Sequence, residues 1–253
     1  HRDKRVRSSA ARLAARLPEE AWKGLLNSLS KGFPQSQLLG AETLIWRNRA
    51  AAPNAAAIQF ALNALNRNTD ADQRLQAVRL IILGLGDWKL RGASPEFWTG
   101  YECAAPILAE DPLRKKILAA VRPLLSGAGE FLPYEAARLL AMLGDDDPIA
   151  AEKILNRISS GSNASDDFHY LAAFSRLSSP MTAELRKRAT SALLDLNRKL
   201  NDQEHRVKMN WSDRCAELAE QWVIRDPRIV DDFLANPAFF TVAHAYLAKP
   251  MGA

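Results

Sequence analysis

Strand-forming alternation is missing from this sequence: no segment carries the every-second-residue Val, Ile and Thr pattern that a half-buried β-strand needs. An all-α fold is therefore expected. Cysteine is nearly absent as well. Cys103 and Cys215 each stand alone, so no Cys-x-x-Cys pair offers zinc binding, redox chemistry or haem attachment, and no disulfide between them is expected. No apolar run approaches the roughly 18 residues that a membrane span requires. The basic start lacks the apolar segment of a signal peptide. The chain begins at His1, and the expectation is a piece of a longer protein with any targeting signal upstream. A phosphate-binding glycine loop, a His-Glu-x-x-His and a Gly-x-Ser-x-Gly are all missing too.

What is present is an apolar content of 47% over 253 residues, enough for a sizeable core. The net charge of +5 is modest, and its excess sits at the start, where Arg2, Lys4, Arg5, Arg7, Arg12 and Arg16 face only Asp3. A run of this kind reads as a solvated helix face, because nucleic-acid binders carry a basic surface along one whole side. Nucleic acid is not the expected partner.

Residues 70–87 set the pattern for the rest. Asp70 or Asp72 can cap a helix, Leu75, Val78, Leu80, Ile82 and Leu85 with Ala77 form a wide apolar stripe, and Gly86 can take the left-handed conformation that ends the helix. Such a stripe needs neighbouring helices to cover it. The same Leu-Gly-Asp ending recurs at Leu143, Gly144 and Asp145, the signal of an uneven internal repeat. On either side, helices are expected near 3–17 (with Val6, Ala10, Leu13, Ala14 and Leu17 on one face), 18–29, 35–49 and 54–66. Further helices are expected near 131–143, 148–158, 182–200, 211–224, 227–234 and 237–247. Asp111-Pro112, Asp147-Pro148 and Asp226-Pro227 each read as a capping aspartate followed by a first-turn proline. These segments predict antiparallel helix pairs stacked side by side, either as one array over 1–253 or as two subarrays, 1–160 and 166–253. The joint between them would be the polar connection 159–165.

Chemistry is thin along this array. Asp166, Asp167 and His169 have metal-like proximity, but two aspartates at a helix start are what a cap and the helix dipole call for. Asp145, Asp146 and Asp147 sit between Gly144 and Pro148, where turn and cap roles account for them. His205 has no neighbouring nucleophile, and His244 lies among apolar residues, where a core or interface role fits. No metal and no cofactor is expected. The best local candidate for a contact site is the irregular stretch 87–101, which gathers four aromatics, a proline and two glycines. Trp88, Arg91, Phe97 and Trp98 are the residue types enriched at interface hot spots, and they are expected either to contact a neighbouring domain or partner or to plug the adjoining groove.

The Ala-Val-Arg core of 70–87 and Arg5-Val6-Arg7-Ser8-Ser9-Ala10 resemble HEAT repeats, which implies an α-α superhelix, a solenoid of stacked helix pairs. A narrower likeness runs from about 70 to 240. Residues 135–143, 166–177, 83–87, Asn210-Trp211-Ser212-Asp213-Arg214 and Arg225-Asp226-Pro227 are similar to the helical segment of very large exported bacterial haem-binding Cys-x-x-Cys-His cytochromes. The resemblance implies a spacer adjoining a sugar-dehydrogenase-like β-propeller and a c-type cytochrome, in an exported or periplasmic protein. It brings no catalytic residue, and the haem-attaching motif is absent from this chain. The expected function is a noncatalytic scaffold that positions neighbouring domains or binds another protein. The alternative is a HEAT-type nucleic-acid module or an enzyme such as a DNA glycosylase, which would need a basic concave face.

Overall fold

A computed structural model describes residues 4–48, 52–67, 70–86, 100–103, 107–127, 129–202, 211–248 and 250–252. Among these residues there are twelve α-helices, a few 3-10 turns and no strand. The helices are α1 (Lys4–Ala14), α2 (Glu19–Lys31), α3 (Pro34–Arg47), α4 (Ala55–Leu65), α5 (Ala71–Gly84) and α6 (Pro112–Val121). They continue with α7 (Phe131–Met142), α8 (Pro148–Leu155), α9 (Ala164–Ser175), α10 (Ala183–Asp202), α11 (Trp211–Arg225) and α12 (Ile229–Leu234). The chain divides into two compact units, His1–Leu143 and Gly144–Ala253. The polar connection 159–165 lies within the second unit, after α8, and its last two residues are the first of α9.

In the first unit α1 packs on α3, α3 on α5 and α5 on α7, while α2 lies on α3 and α4 touches α3, α5 and α6. The local signals explain the starts and stops. Asp70 caps α5 by accepting from the Gln73 N–H at 2.8 Å, and Gly86, at φ 93°, turns the chain out of the helix in the left-handed region. Asn54 caps α4 through Ala57 N–H at 3.1 Å and donates its amide to the Leu44 carbonyl at 3.2 Å, which ties the start of α4 to the end of α3. Burial on α5 exceeds a stripe. Ala77, Val78, Ile81 and Leu85 are all fully buried, with Leu80 and Ile82 nearly so, whereas Leu75 stays half-buried. The reason is position: α3, α4 and α7 surround this helix. Close approach is paid for by glycine at two seams, since a Cβ on Gly40 would come within 2.5 Å of the Phe60 ring and one on Gly84 within 2.7 Å of Ile58.

In the second unit α8, α10 and α11 pack on α9, and α12 packs on α10 and α11. Phe174 and Trp222, both fully buried, meet edge-to-face at 6.1 Å in its centre. Three expectations need correction here. Helix α9 begins at Ala164, capped by Asn163 through Ser165 N–H at 2.8 Å, so Asp166 and Asp167 lie inside the first turn rather than before it. Asp111 and Asp147 cap α6 and α8; Asp226 likewise accepts from the N–H two residues on, that of Arg228 at 3.2 Å, but α12 starts only at Ile229 and the same carboxylate also takes the Arg228 and Arg186 guanidinia. The segment expected as a helix over 237–247 is two 3-10 turns, Pro237–Phe240 and Val242–Leu247, separated by Thr241 in extended backbone at ψ 148°. Gly144, at φ 57°, follows α7 as Gly86 follows α5, so the repeated Leu-Gly-Asp ending has one conformational cause.

Candidate functional site

A trough of mixed polar and apolar lining crosses the first unit over α1, α3 and α5. Two adjoining hollows of about 410 and 450 Å³ share Arg7, Asp72 and Gln76 as lining. Helix spacing builds it: Asp72, Gln76, Arg79 and Leu83 recur at three- and four-residue steps along one side of α5, and Gln35 and Glu42 stand two turns apart on α3. Arg7 reaches over from α1, with its guanidinium 3.5 Å from the Gln76 side-chain oxygen. At the far end Arg79 donates to Glu135 on α7 at 2.8 Å, and Arg138 stands 3.7 Å from the same carboxylate. Arg79 is 44% exposed, so the pair adds no more than about 1 kcal/mol to stability. Its contribution is to hold the Arg79 guanidinium in place in the lining of the second hollow.

Among the described residues the lining side chains are amides, carboxylates, guanidinia and leucines, with no histidine, cysteine, serine or tyrosine. Amides donate and accept at once, as a polypeptide backbone does, and the leucines add apolar surface to the second hollow. The arrangement suits recognition of a chain more than proton transfer or nucleophilic attack. Sequence reading concentrated on the apolar side of α5 and missed this trough. The same spacing rule applied to Asp72, Gln76 and Arg79 would have found its polar side.

Trp88, Arg91, Phe97 and Trp98 lie outside the described residues, as does His205. The residues that frame the stretch are described. Gly86 leaves α5, and the Gly100 carbonyl accepts from Arg138 Nε on α7 at 2.6 Å. Cys103 follows, its thiol donating to the Met142 carbonyl at 3.2 Å.

The other sequence candidates take structural roles. In the second unit Lys199 of α10 is 5% exposed and donates to the Asp167 carboxylate, the Ser159 carbonyl and, at 3.1 Å, the Ser162 hydroxyl. An ammonium has three donors, and all three are used. Ser162 in turn donates to Asp167 and accepts from Ser159 N–H at 2.9 Å, so the connection 159–165 is knotted onto α10. His169 is buried against Tyr170 at 5.0 Å. Asp145 is fully buried, and its carbonyl accepts from Ser178 N–H at 2.8 Å. Among the described residues no group of three or more His, Cys, Asp and Glu side chains is arranged to hold a metal ion.

Both cysteines are buried free thiols, and burial pushes the Cys215 thiol up to about 12, which makes it unreactive. The Tyr246 phenol beside it is also raised, first by burial. His244 is buried with Nε2 3.0 Å from the Leu194 carbonyl and Nδ1 2.8 Å from both the Ala238 carbonyl and the Thr241 hydroxyl, which fastens the last 3-10 turn to α10. Among the described residues no helix is long and apolar enough to cross a membrane. No protein-family profile, curated protein or solved structure matches the chain.

Proposed function

We propose that this chain is a HEAT-like helical solenoid acting as a noncatalytic scaffold, and that the trough on its first unit seats an extended segment of another protein or of a neighbouring domain. The observation that carries this reading is the lining itself: Gln35, Gln73 and Gln76 line the first hollow with Asp70, Asp72 and Arg7, and Leu75, Leu80 and Leu83 line the second with Glu42, Arg7 and Arg79. The succession of α1, α3, α5 and α7, each packed on the next, supports the solenoid. Mixed charge favours a protein occupant over a nucleic acid, whose phosphates call for a basic groove.

The likeness of residues 70–240 to the helical part of exported haem-binding cytochromes extends the proposal. In that setting the chain is a spacer in a multidomain redox protein, and it holds no haem of its own because Cys103 and Cys215 cannot form the two-thiol attachment motif. Material purified from a host that matures c-type cytochromes is expected to be colourless. A haem band that survives acid extraction overturns this part.

A displayed peptide library panned on the purified chain tests the trough. Selected peptides are expected to bind at least tenfold more weakly to a Gln76→Ala/Arg79→Ala variant, since each lost polar contact in a partly buried site costs about 1 kcal/mol or more. Unchanged affinity in that variant sinks the reading.

A further inference from the structure

The charges in the trough are unevenly matched. Among the described residues the two hollows together present three carboxylates, Asp70, Asp72 and Glu42, against two guanidinia, Arg7 and Arg79. Both cations are engaged. Arg79 gives its Nε–H to Glu135, a buried carboxylate outside the lining, at 2.8 Å, and Arg7 lies 3.5 Å from the Gln76 side-chain oxygen. The carboxylates divide differently. Asp70 is occupied as the cap of α5, but Glu42, half-buried on α3, and Asp72, in the first turn of α5, make no ion pair or hydrogen bond among the described residues. The trough therefore carries unmatched negative charge in a chain whose net charge is +5.

Apolar surface stands beside these carboxylates. Leu75 and Leu83 of α5, both half-buried, line the same hollow as Glu42 and Asp72. A cation with an apolar stem suits such a place, and lysine and arginine have that stem. A metal ion does not, since among the described residues no group of carboxylates is arranged to hold one. Phosphates of a nucleic acid or of an anionic lipid carry the same sign as the unmatched carboxylates and are repelled. Taking the trough as the seat of an extended protein segment, on which this rests, we infer that the seated segment is basic. Its lysines or arginines lay their stems along Leu75 and Leu83 and set their cations against Glu42 and Asp72. Its backbone is met by the amides of Gln73 and Gln76 and by the terminal N–H groups of Arg79, which Glu135 leaves available.

The test sequences the displayed peptides selected on the whole chain and measures them, labelled, by fluorescence anisotropy. They are expected to be enriched in lysine and arginine over the unselected library, to bind about fivefold more weakly to Glu42→Gln/Asp72→Asn, and to weaken with added salt. In Glu42→Lys the preference is expected to reverse, so that the counterpart of a selected peptide with glutamates in place of its basic residues binds better than the peptide itself. A peptide whose lysines and arginines are replaced by glutamine is expected to lose binding as well, and this change leaves the protein untouched. The inference is overturned if the selected peptides depend on Gln76 and Arg79 yet are not enriched in basic residues, or if they bind Glu42→Gln/Asp72→Asn as tightly as the parent chain. The seat then stands and only its charge preference falls. Peptides indifferent to Gln76→Ala/Arg79→Ala remove the seat, and the inference with it. Two further results overturn it by naming a different occupant: spermidine that binds as tightly as a selected peptide, and self-association in sedimentation that is lost in Glu42→Gln/Asp72→Asn.

Discussion

Around α4 in the first unit helices meet through apolar surfaces brought very close at glycines, whereas the α9–α10 seam of the second is built on buried charge. At the α3–α4–α5 junction Ala41, Ala57, Ile58, Ala61 and Ile81 are fully or almost fully buried, and Gly40 and Gly84 admit Phe60 and Ile58. At the α9–α10 seam the corresponding depth is occupied by Lys199 and Asp167, and near α12 Arg186 bridges Asp226 and Asp232 at 3.3 and 2.7 Å. The difference matters because the two kinds of seam fail differently. An apolar seam loses stability in proportion to the volume removed and is largely indifferent to pH. A buried ion pair contributes little beyond what an apolar pair would, yet it is costly to break from one side, since the remaining charge is left without a partner. Both units share one device: an arginine that donates to carbonyls where another helix ends, as Arg47 does to Ala15 and Leu17 and Arg225 to Phe174 and Ser179.

The largest effect is expected from Lys199→Ala, which leaves Asp167 buried without its cation and should cost about 3–5 kcal/mol, seen as a loss of hydrogen-exchange protection in α9 and α10. Replacing both partners, Lys199→Met with Asp167→Leu, should recover most of that loss. If the double variant is no better than the single one, the seam is held by something other than the ion pair. Next comes Ile81→Ala in the first unit. It removes a fully buried side chain from α5 and should cost about 3 kcal/mol, with the same value at pH 5 and pH 7, measured by denaturant unfolding. A pH-dependent cost there would break the contrast between the units.

A smaller effect concerns Asp226. Its carboxyl is held below the usual carboxylate range, chiefly by the hydrogen bond from Arg228, with the charges of Arg228 and Arg186 adding to this and burial opposing it. A depressed folded-state value means that this stabilisation is fully present above the unfolded carboxylate value of about 4 and is lost as pH falls through the lower folded value. Asp226→Asn should therefore destabilise the second unit at pH 7 by about 1–3 kcal/mol and should flatten its acid dependence below about pH 4. An acid limb unchanged in the variant would show that other carboxylates govern it. The smallest effect is expected for Leu13→Ala, which should change stability by less than about 0.5 kcal/mol because that side chain is already 67% exposed. A larger loss would mean that α1 buries its stripe after all.

Helix identity in this protein is a local matter, and the sequence by itself determined it. The all-α class, the caps at Asp70, Asp111 and Asp147 and the glycine endings at Gly86 and Gly144 follow from residue periodicity and short-range hydrogen bonding, so they can be read without knowing what lies alongside. What lies alongside was decided only in three dimensions. The stripe of Val6, Ala10 and Leu13 has the pattern of a buried face yet points outward, because periodicity marks which residues share a face and not whether a neighbour covers it. Asp167 reads as a helix-start residue and ends up paired with a lysine 32 positions away, because burial makes an ion pair of two residues that sequence leaves unrelated. The trough joins Arg7, Glu42 and Gln76 from three helices in the same way. Spacing along one helix could disclose only its α5 wall, since the other two walls exist only once the helices have packed.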